Sequence, residues 1–200
     1  LSIKHIYFSH SKQYHKTMKK LFIVFMFLST TSYGQTDLLP TGSKGSQKID
    51  HTYYKLLYKD KIRQSECSYY HLTKAMADCN SDRANNFKAD TMVVGVRVTP
   101  KYYEKSGFDK GHLTPANHLC HDQIGMDRSF LMSNMSPQLA NFNRGIWKQL
   151  EYMTKLWAID KGDVYIFSGP IFEGPVKYMP YYHMSGATKI KVDSIPIPTH

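Results

Sequence analysis

The sequence has little of what defines several common classes of protein. Its three cysteines are too few for a disulfide scaffold and lack the C-x-x-C spacing of a structural zinc site. Its only long apolar run, Leu21 to Leu28, is much shorter than the roughly 20 residues that a membrane-spanning helix needs. The chain also lacks internal repeats and low-complexity tracts. These features exclude a disulfide-rich miniprotein and a repeat protein, and they predict no membrane-spanning helix.

What remains is the composition of a folded domain with a basic excess. Hydrophobic residues make up 42% and charged residues 21% of 200 residues, which suits one ordinary globular domain. The formal net charge of +10 indicates an anionic partner, such as nucleic acid, a membrane surface or an acidic polymer. Residues 1–34 carry five of the lysines and no acidic residue, so the rest of the chain has a net charge of only +5. Charge is therefore weak evidence for nucleic acid.

The N-terminal segment has the pattern of a secretory signal peptide. A basic stretch at residues 18–20 precedes the apolar run, and small residues follow it up to Gly34. We expect a signal peptide over Met18–Gly34, cleaved before Gln35, with residues 1–17 as translated upstream sequence. A buried N-terminal helix or strand is the alternative. The signal peptide predicts an exported protein, secreted or periplasmic.

Export changes how the cysteines are interpreted. In an oxidising compartment Cys67 and Cys79 could form a disulfide, which would leave Cys120 free. The alternative is three buried thiols that behave as small hydrophobic residues.

The remaining chain reads as a linker followed by one α+β domain. Residues 35–50 are rich in Gly, Ser, Thr and Lys and indicate a linker, which leaves 51–200 as the folded domain. The clearest helix starts near Asn143, with an apolar stripe formed by Ile146, Leu150, Met153 and Trp157. Short strands are predicted at Tyr53–Tyr58, Cys67–Leu72, Met92–Val98, Asp163–Phe167 and Lys189–Val192.

Two polar clusters in predicted loops could carry chemistry. In Asp109-Lys110-Gly111-His112, a histidine follows a cation and a glycine, an arrangement that suits a general base acting on a phosphodiester. Neutral imidazole can take a proton from water near neutral pH. A structural histidine in a turn is the alternative. The second cluster, Ser133 to Gln138, contains Asn134 and equally fits a simple turn before Pro137.

A third cluster lies on the predicted helix. Asn143, Trp147 and Glu151 are spaced i, i+4, i+8, which places an amide and a carboxylate along one side. Hard oxygen ligands suit hydrated Mg²⁺, which needs few protein ligands. The alternative is an N-cap asparagine with a solvent-facing glutamate.

Two further interpretations concern metal and phosphate binding. A zinc cluster would fit no standard spacing, and its candidate ligands are His112, His118, Cys120 and His121. A basic surface could bind phosphate or simply be solvated, and its members are Lys88, Arg97, Lys101, Lys105, Lys110, Arg128, Arg144 and Lys148.

Taken together, the motifs resemble one enzyme family. Asp109–Ala116 (DKGHLTPA) is similar to the signature of the DNA/RNA non-specific endonucleases, which belong to the ββα-metal superfamily with secreted bacterial nucleases and mitochondrial endonuclease G. The resemblance continues, in the family's order, through Phe130–Gln138, Phe142–Glu151 and Ile166–Phe172. It covers roughly residues 51–200. It implies an α+β fold with a ββα-metal core, in which helices flank a mainly antiparallel central sheet.

The resemblance also implies a role for each site residue. His112 would be the general base, and Asn143 would be the single direct protein ligand of hydrated Mg²⁺, for which Mn²⁺ or another divalent cation could substitute. Glu151 would act on the metal through water and in catalysis, and Asn134 would support the catalytic site. Further contacts to substrate are expected from Lys110, which would also assist catalysis, Arg144 and Asp109.

The chain departs from the family pattern at two places. The second signature position, usually Arg, is Lys110 here, and a lysine is a point charge without the planar fork that binds phosphate bidentately. We expect activity to be retained with weaker phosphate binding. Family members usually continue past a segment like Ile195–His200 into another strand, so we expect the domain to be truncated at its C-terminus.

The function that the resemblance predicts is an exported, Mg²⁺-dependent endonuclease. It would hydrolyse DNA and RNA with little sequence specificity and leave 5′-phosphate ends. The alternatives are a catalytically weak nucleic-acid-binding module and a phosphodiesterase that acts on small nucleotides.

Overall fold

The computed structural model describes residues 38–185 and 188–199. The predicted signal peptide and its cleavage site before Gln35 lie outside the described residues. Eight strands and two main helices follow one another along the chain: β1 (Ser46–Asp50), β2 (Lys55–Lys59), β3 (Gln64–Thr73), β4 (Asp109–His112), α1 (Gln123–Ser129), β5 (Met135–Gln138), α2 (Lys148–Lys161), β6 (Asp163–Ser168), β7 (Lys177–Ser185) and β8 (Thr188–Ile197).

A four-stranded antiparallel sheet, in the order β1-β2-β3-β6, forms one wall of the main core. On β3, Tyr70 and Leu72 point inward and are at most 2% exposed, and they pair with Ile166 and Val164 of β6. Alternate residues point to the opposite face, because side chains in a strand alternate with a period of two. Full burial of one such large apolar side chain contributes about 1.5–3 kcal/mol.

A ββα unit lies beside this sheet. The short strands β4 and β5 pair antiparallel, and the chain then enters a helical turn, Ala140–Phe142, followed by a wider turn, Asn143–Trp147. The helical path bends at Gly145 and continues as α2. The prediction of an α+β fold with an antiparallel sheet and flanking helices is confirmed.

The N-terminal boundary differs from the predicted linker over 35–50. The last five residues of that predicted linker form β1, which pairs with β2. Ser46 lies opposite Lys59 at one end of the pairing, and Asp50 lies opposite Lys55 at the other. The strand forms because Ile49, within this polar segment, is 3% exposed and joins the main core.

The strand predicted over Met92–Val98 is wrong, since this segment is an irregular loop. Its side chains do not alternate in burial, since Val93 and Val98 are buried whereas Val94 is 75% exposed. The Val94 backbone N–H and C=O bind the amide of Gln47, and the Val96 N–H donates to Asp60. Side chains thus replace the neighbouring strand that the pattern predicts.

The predicted pairing of Cys67 with Cys79 is also wrong. Cys79 forms a disulfide with Cys120, with their Cα atoms 4.6 Å apart, and Cys67 is a free thiol. Cys67 lies within β3, and burial raises the pKa of its thiol to about 11. Cys79 lies in the loop after β3, where the backbone N–H groups of Asn80 and Ser81 donate to the Cys120 carbonyl at 2.8 and 3.0 Å.

The buried face of α2 differs from the predicted apolar stripe. Thr154 and Ala158 are the buried residues of α2, whereas Ile146, at the start of the predicted stripe, is 44% exposed. The inward side of the helix includes the polar Thr154, whose hydroxyl is satisfied because it donates to the backbone carbonyl of Glu151. None of the helices in the described ranges is long and apolar enough to cross a membrane.

Candidate active site

The end of β4 places His112 at the centre of the ββα unit. In the pairing of β4 with β5, Gly111 lies opposite Ser136 and His112 opposite Met135. A Cβ added at Gly111 would lie 2.2 Å from the Cδ and Oε1 atoms of Gln138. Glycine is therefore required by close packing on β5, and the two strands can hold His112 at this depth only because position 111 has no side chain.

The imidazole of His112 lies in an aromatic enclosure. The ring packs edge-on against Phe130, with centroids 5.0 Å apart, and tilted against Phe87 at 5.8 Å. Its Nε2 atom is buried and has no hydrogen-bond partner among the described residues. Burial, assisted by the charge of Arg83, lowers the pKa of His112 to about 3. The ring is therefore neutral near pH 7, with an unused acceptor or donor atom.

Asn134 supports the backbone next to His112. It is fully buried, and its Oδ1 accepts from the Thr114 N–H while its Nδ2 donates to the carbonyls of Thr114 and Ser129, each at 2.9 Å. Its own carbonyl accepts from the N–H of Leu113 at 2.9 Å. These contacts use both the oxygen and the nitrogen of the amide. Asn134 therefore holds the backbone of the segment after His112 in place.

Asp109 ties the start of β4 to the turn that carries Asn143. Its carboxylate accepts two hydrogen bonds from the Arg144 guanidinium, both at 2.8 Å, and one from Asn143 Nδ2 at 2.9 Å. The bonds from Arg144, with help from Asn143, lower the pKa of Asp109. Because a carboxylate only accepts, the Asn143 amide presents Nδ2 to Asp109 and directs its oxygen elsewhere. Asp109 thus orients Asn143 and binds Arg144.

Trp147 connects His112 to Glu151. Its indole N–H donates to the His112 carbonyl at 3.1 Å, and a hydrogen bond from the same side chain acts on the Glu151 carboxyl. Burial raises the pKa of Glu151 to about 7, although the charge of Arg83 and the bond from Trp147 oppose that rise. The structure therefore places the backbone carbonyl of His112 and the carboxyl of Glu151 near the N–H of one indole.

Two residues of this site carry no signal in the sequence pattern. Arg83 follows the disulfide loop and lies with its Cζ atom 5.1 Å from the ring centroid of Phe130, and its charge acts on both His112 and Glu151. Phe87 contacts His112 and also lies under the ammonium of Lys110, 4.7 Å from its centroid. Both come from a polar, irregular segment, so only the tertiary fold reveals them.

The zinc alternative does not fit the structure. Cys120 is consumed by the disulfide, and both ring nitrogens of His118 are occupied, one by the Tyr70 hydroxyl and the other by the Glu151 carbonyl. Within residues 38–185 and 188–199, no three His, Cys, Asp or Glu side chains gather in a way that could hold a metal ion.

The donor set of the site fits a hard, hydrated cation. The oxygens available there are the amide oxygen of Asn143 and the carboxylate of Glu151, and hard oxygen ligands are those that Mg²⁺ prefers. Burial raises the pKa of Glu151, and a cation bound beside it would favour its charged form. Few protein ligands are needed, because Mg²⁺ keeps several of its waters.

The fold and the site define a class of protein, the ββα-metal nucleases. The chain is similar to endonuclease G as seen in the crystal structure of the EndoG/EndoGI complex, with a TM-score of 0.62 and 25% sequence identity. The match covers 76% of this chain and 64% of that chain.

Sequence comparison narrows the class to a family. The chain belongs to the DNA/RNA non-specific endonuclease family, whose sequence model matches residues 34–200. It is 34% identical over 181 residues to a nuclease of Syncephalastrum racemosum, covering 82% of this chain and 55% of that protein. It is 29% identical over 154 residues to human mitochondrial endonuclease G, covering 74% of this chain and 50% of that protein. The chain thus spans about half the length of these relatives.

Proposed function

We propose that this protein is a divalent-metal-dependent endonuclease that hydrolyses DNA and RNA with little sequence specificity. The observation that carries the proposal is the convergence of His112, Asn143 and Glu151 on one ββα unit, joined through Trp147. Membership of the non-specific endonuclease family supports the same assignment. Low specificity follows because the charged groups of the site can contact phosphate and not base edges.

His112 is the proposed general base. Its Nε2 atom is the one ring atom of the site that is both buried and unpartnered among the described residues, so it is available to take a proton from an attacking water. The enclosure by Phe87 and Phe130 keeps the free imidazole neutral, and the negative charge of a bound phosphate would raise its low pKa toward the range in which a base works. Asn134 holds the backbone beneath it without contacting substrate.

Asn143 and Glu151 are the residues that would hold Mg²⁺, the first directly and the second through water. When bound, the ion would stabilise the negative charge that develops on the phosphate and on the departing 3′ oxygen. Asp109 contributes by orienting the Asn143 amide. Arg83 and Lys110 lie at the same site with positive charges that suit a phosphate, and the proposed products carry 5′-phosphate ends.

We also propose that the protein is exported, with the signal peptide removed before Gln35. The disulfide between Cys79 and Cys120 supports export, because such bonds persist in oxidising compartments. N-terminal sequencing of the protein recovered from the periplasm or the medium tests this, with Gln35 expected as the first residue.

The central experiment compares the wild-type protein with His112→Ala and with His71→Ala as a matched control. His71 is a histidine of β3 that pairs with Asp163 at 3.0 Å. Plasmid DNA and RNA are incubated with each protein in Mg²⁺ or in EDTA. We expect the wild type and His71→Ala to degrade both polymers only with Mg²⁺, and His112→Ala to lose at least about a hundredfold in rate.

Other outcomes would point to the alternatives. DNA that is retarded on a gel but never cut would indicate a binding module. Turnover of a small phosphodiester without polymer cleavage would indicate a phosphodiesterase. Cleavage at the wild-type rate by His112→Ala would show that His112 is not the general base. The ends are tested by kinase labelling, since fragments with 5′-phosphates accept label only after phosphatase treatment.

A further inference from the structure

A largely buried chain of hydrogen bonds reaches the helix that carries Glu151 from the four-stranded sheet. The Tyr70 hydroxyl, on β3, contacts Nδ1 of His118 at 2.8 Å, and Nε2 of His118 contacts the backbone carbonyl of Glu151 at 2.8 Å. Tyr70 is 2% exposed and His118 is 0% exposed. The chain therefore links the central sheet to the first turn of α2 entirely inside the protein.

The direction of each bond follows from the acceptor at its end. A backbone carbonyl can only accept, so Nε2 of His118 carries the hydrogen that it donates to Glu151. In the neutral ring Nδ1 is then the acceptor, and the Tyr70 hydroxyl donates to it. Both ring nitrogens and the hydroxyl are satisfied, which defines one tautomer and one ring orientation.

The Glu151 carbonyl accepts side-chain hydrogen bonds in addition to those that a helix backbone supplies. Besides His118, the Oγ1 of Thr154 donates to it at 2.9 Å. One turn earlier, Trp147 donates to the His112 carbonyl at 3.1 Å. The start of α2 is thus attached to the rest of the site at Glu151 and at Trp147, the residue immediately before the helix, which restrains rotation of the helix about its own axis.

We propose that Tyr70 and His118 are positioning residues that act through the backbone of Glu151 to place its carboxylate for binding of the hydrated metal ion. The inference rests on the proposed function of Glu151. Its physical basis is that a side chain which holds a cation through water must be placed within a fraction of an ångström, and partners behind the ligands supply that precision. The bond to the carbonyl restrains rotation of α2, so the backbone of Glu151 keeps its orientation relative to the rest of the site.

The experiment measures metal affinity directly, as the loss of the free Mn²⁺ signal in electron paramagnetic resonance, on the purified full-length protein. The variants are His118→Leu, which removes both bonds, His118→Gln, which keeps an N–H donor toward Glu151, and Tyr70→Phe. The matched control is Tyr54→Phe, because Tyr54 is 1% exposed and its hydroxyl likewise makes one buried bond, to the Arg128 carbonyl at 2.7 Å.

We expect His118→Leu to weaken Mn²⁺ binding and lower kcat by about tenfold, with KM for DNA unchanged, as removal of supporting partners typically does. His118→Gln should recover most of both quantities. Tyr70→Phe should weaken Mn²⁺ binding severalfold, whereas Tyr54→Phe should lower Tm by a similar amount and leave Mn²⁺ binding as it is in the wild type.

Equal falls in Tm for the two tyrosine variants with unchanged Mn²⁺ affinity would overturn the inference, because they would show a purely structural role. If His118→Leu does not fold, the inference is tested by comparing the Mn²⁺ affinities of Tyr70→Phe and Tyr54→Phe. A wild-type protein that neither binds Mn²⁺ nor cleaves nucleic acid would overturn the proposed function itself. A wild type that does both, with variants that match it, would overturn only the role of Tyr70 and His118.

Discussion

Removal of the Cys79–Cys120 disulfide should destabilise the protein strongly. The bond joins residues 41 positions apart, and closing a loop of that length lowers the entropy of the unfolded chain by an amount worth about 4 kcal/mol at 25 °C. The native state keeps its own contacts in the loop, since Asn80 and Ser81 still donate to the Cys120 carbonyl. Removal of the bond therefore acts mainly by raising the entropy of the unfolded state. The corresponding drop in Tm is about 8–16 °C for a domain of this size.

The assay is urea unfolding, followed by circular dichroism, of the wild type and of Cys79→Ser/Cys120→Ser, each with and without a reductant. The reductant should lower the stability of the wild type to that of the double variant and should leave the double variant unchanged. Cys67→Ser is the matched control, because it removes the free thiol and retains the disulfide. It should respond to reductant as the wild type does.

The same perturbation should reduce activity even where the protein remains folded. The disulfide holds the loop that leads to Arg83, whose charge acts on His112 and Glu151. We expect a lower kcat for the double variant at 15 °C. A double variant with a free energy of unfolding within 1 kcal/mol of the wild type, a small fraction of the predicted loss, would refute the reasoning.

Three further outcomes are expected. Lys110→Arg should lower KM for DNA by about fivefold in steady-state kinetics, the equivalent of roughly one added hydrogen bond, and an unchanged KM would contradict this. Gly111→Ala should cost about 1–3 kcal/mol in urea unfolding, because its Cβ would meet a β5 side chain at 2.2 Å. Stability should fall by roughly one proton's worth, about 1 kcal/mol per pH unit, from pH 6.5 to 4.5. The unfolded chain protonates His112 and His118, whose pKa values burial lowers to about 3 and about 4, while Glu151, raised to about 7, offsets one of these protons. A flat urea-stability profile over that range would contradict the pH prediction.

The periodicity of apolar residues was sufficient to predict elements whose structure depends on neighbouring residues in the sequence. The alternation around Tyr70 and Leu72 predicts a strand, and the sheet buries those positions because side chains of a strand alternate between its faces. The spacing of Asn143 and Glu151 predicts one shared helical side, but the helical path bends at Gly145 between them, so Asn143 lies in the wider turn beside Asp109 and Glu151 lies in α2. The alternation over Met92–Val98 failed, since the side chains of Gln47 and Asp60 bind its backbone in place of ladder hydrogen bonds to a strand.

The partners in space could not be predicted, because they depend on the long-range path of the chain. Cys67 and Cys79 are close in sequence, but β3 carries Cys67 into the sheet while the following loop returns Cys79 to Cys120. Arg83, four residues after Cys79, reaches the site beyond the end of this loop, where it lies over the ring of Phe130. Its own neighbours in sequence are polar and irregular, and they contain no feature that would distinguish it from other surface arginines.

The electrostatics of the site link these distant parts. Enclosure by Phe87 and Phe130 makes His112 neutral, a state that does not depend on any single charged neighbour because burial is the largest cause. Glu151 is different, since burial brings its pKa to about 7, where a modest change in nearby positive charge decides whether it is ionised at neutral pH. The first charge that opposes that rise belongs to Arg83. The ionisation of the proposed metal-binding carboxylate is therefore sensitive to the charge of Arg83, and Arg83→Gln should favour the protonated form of Glu151, which binds a cation poorly.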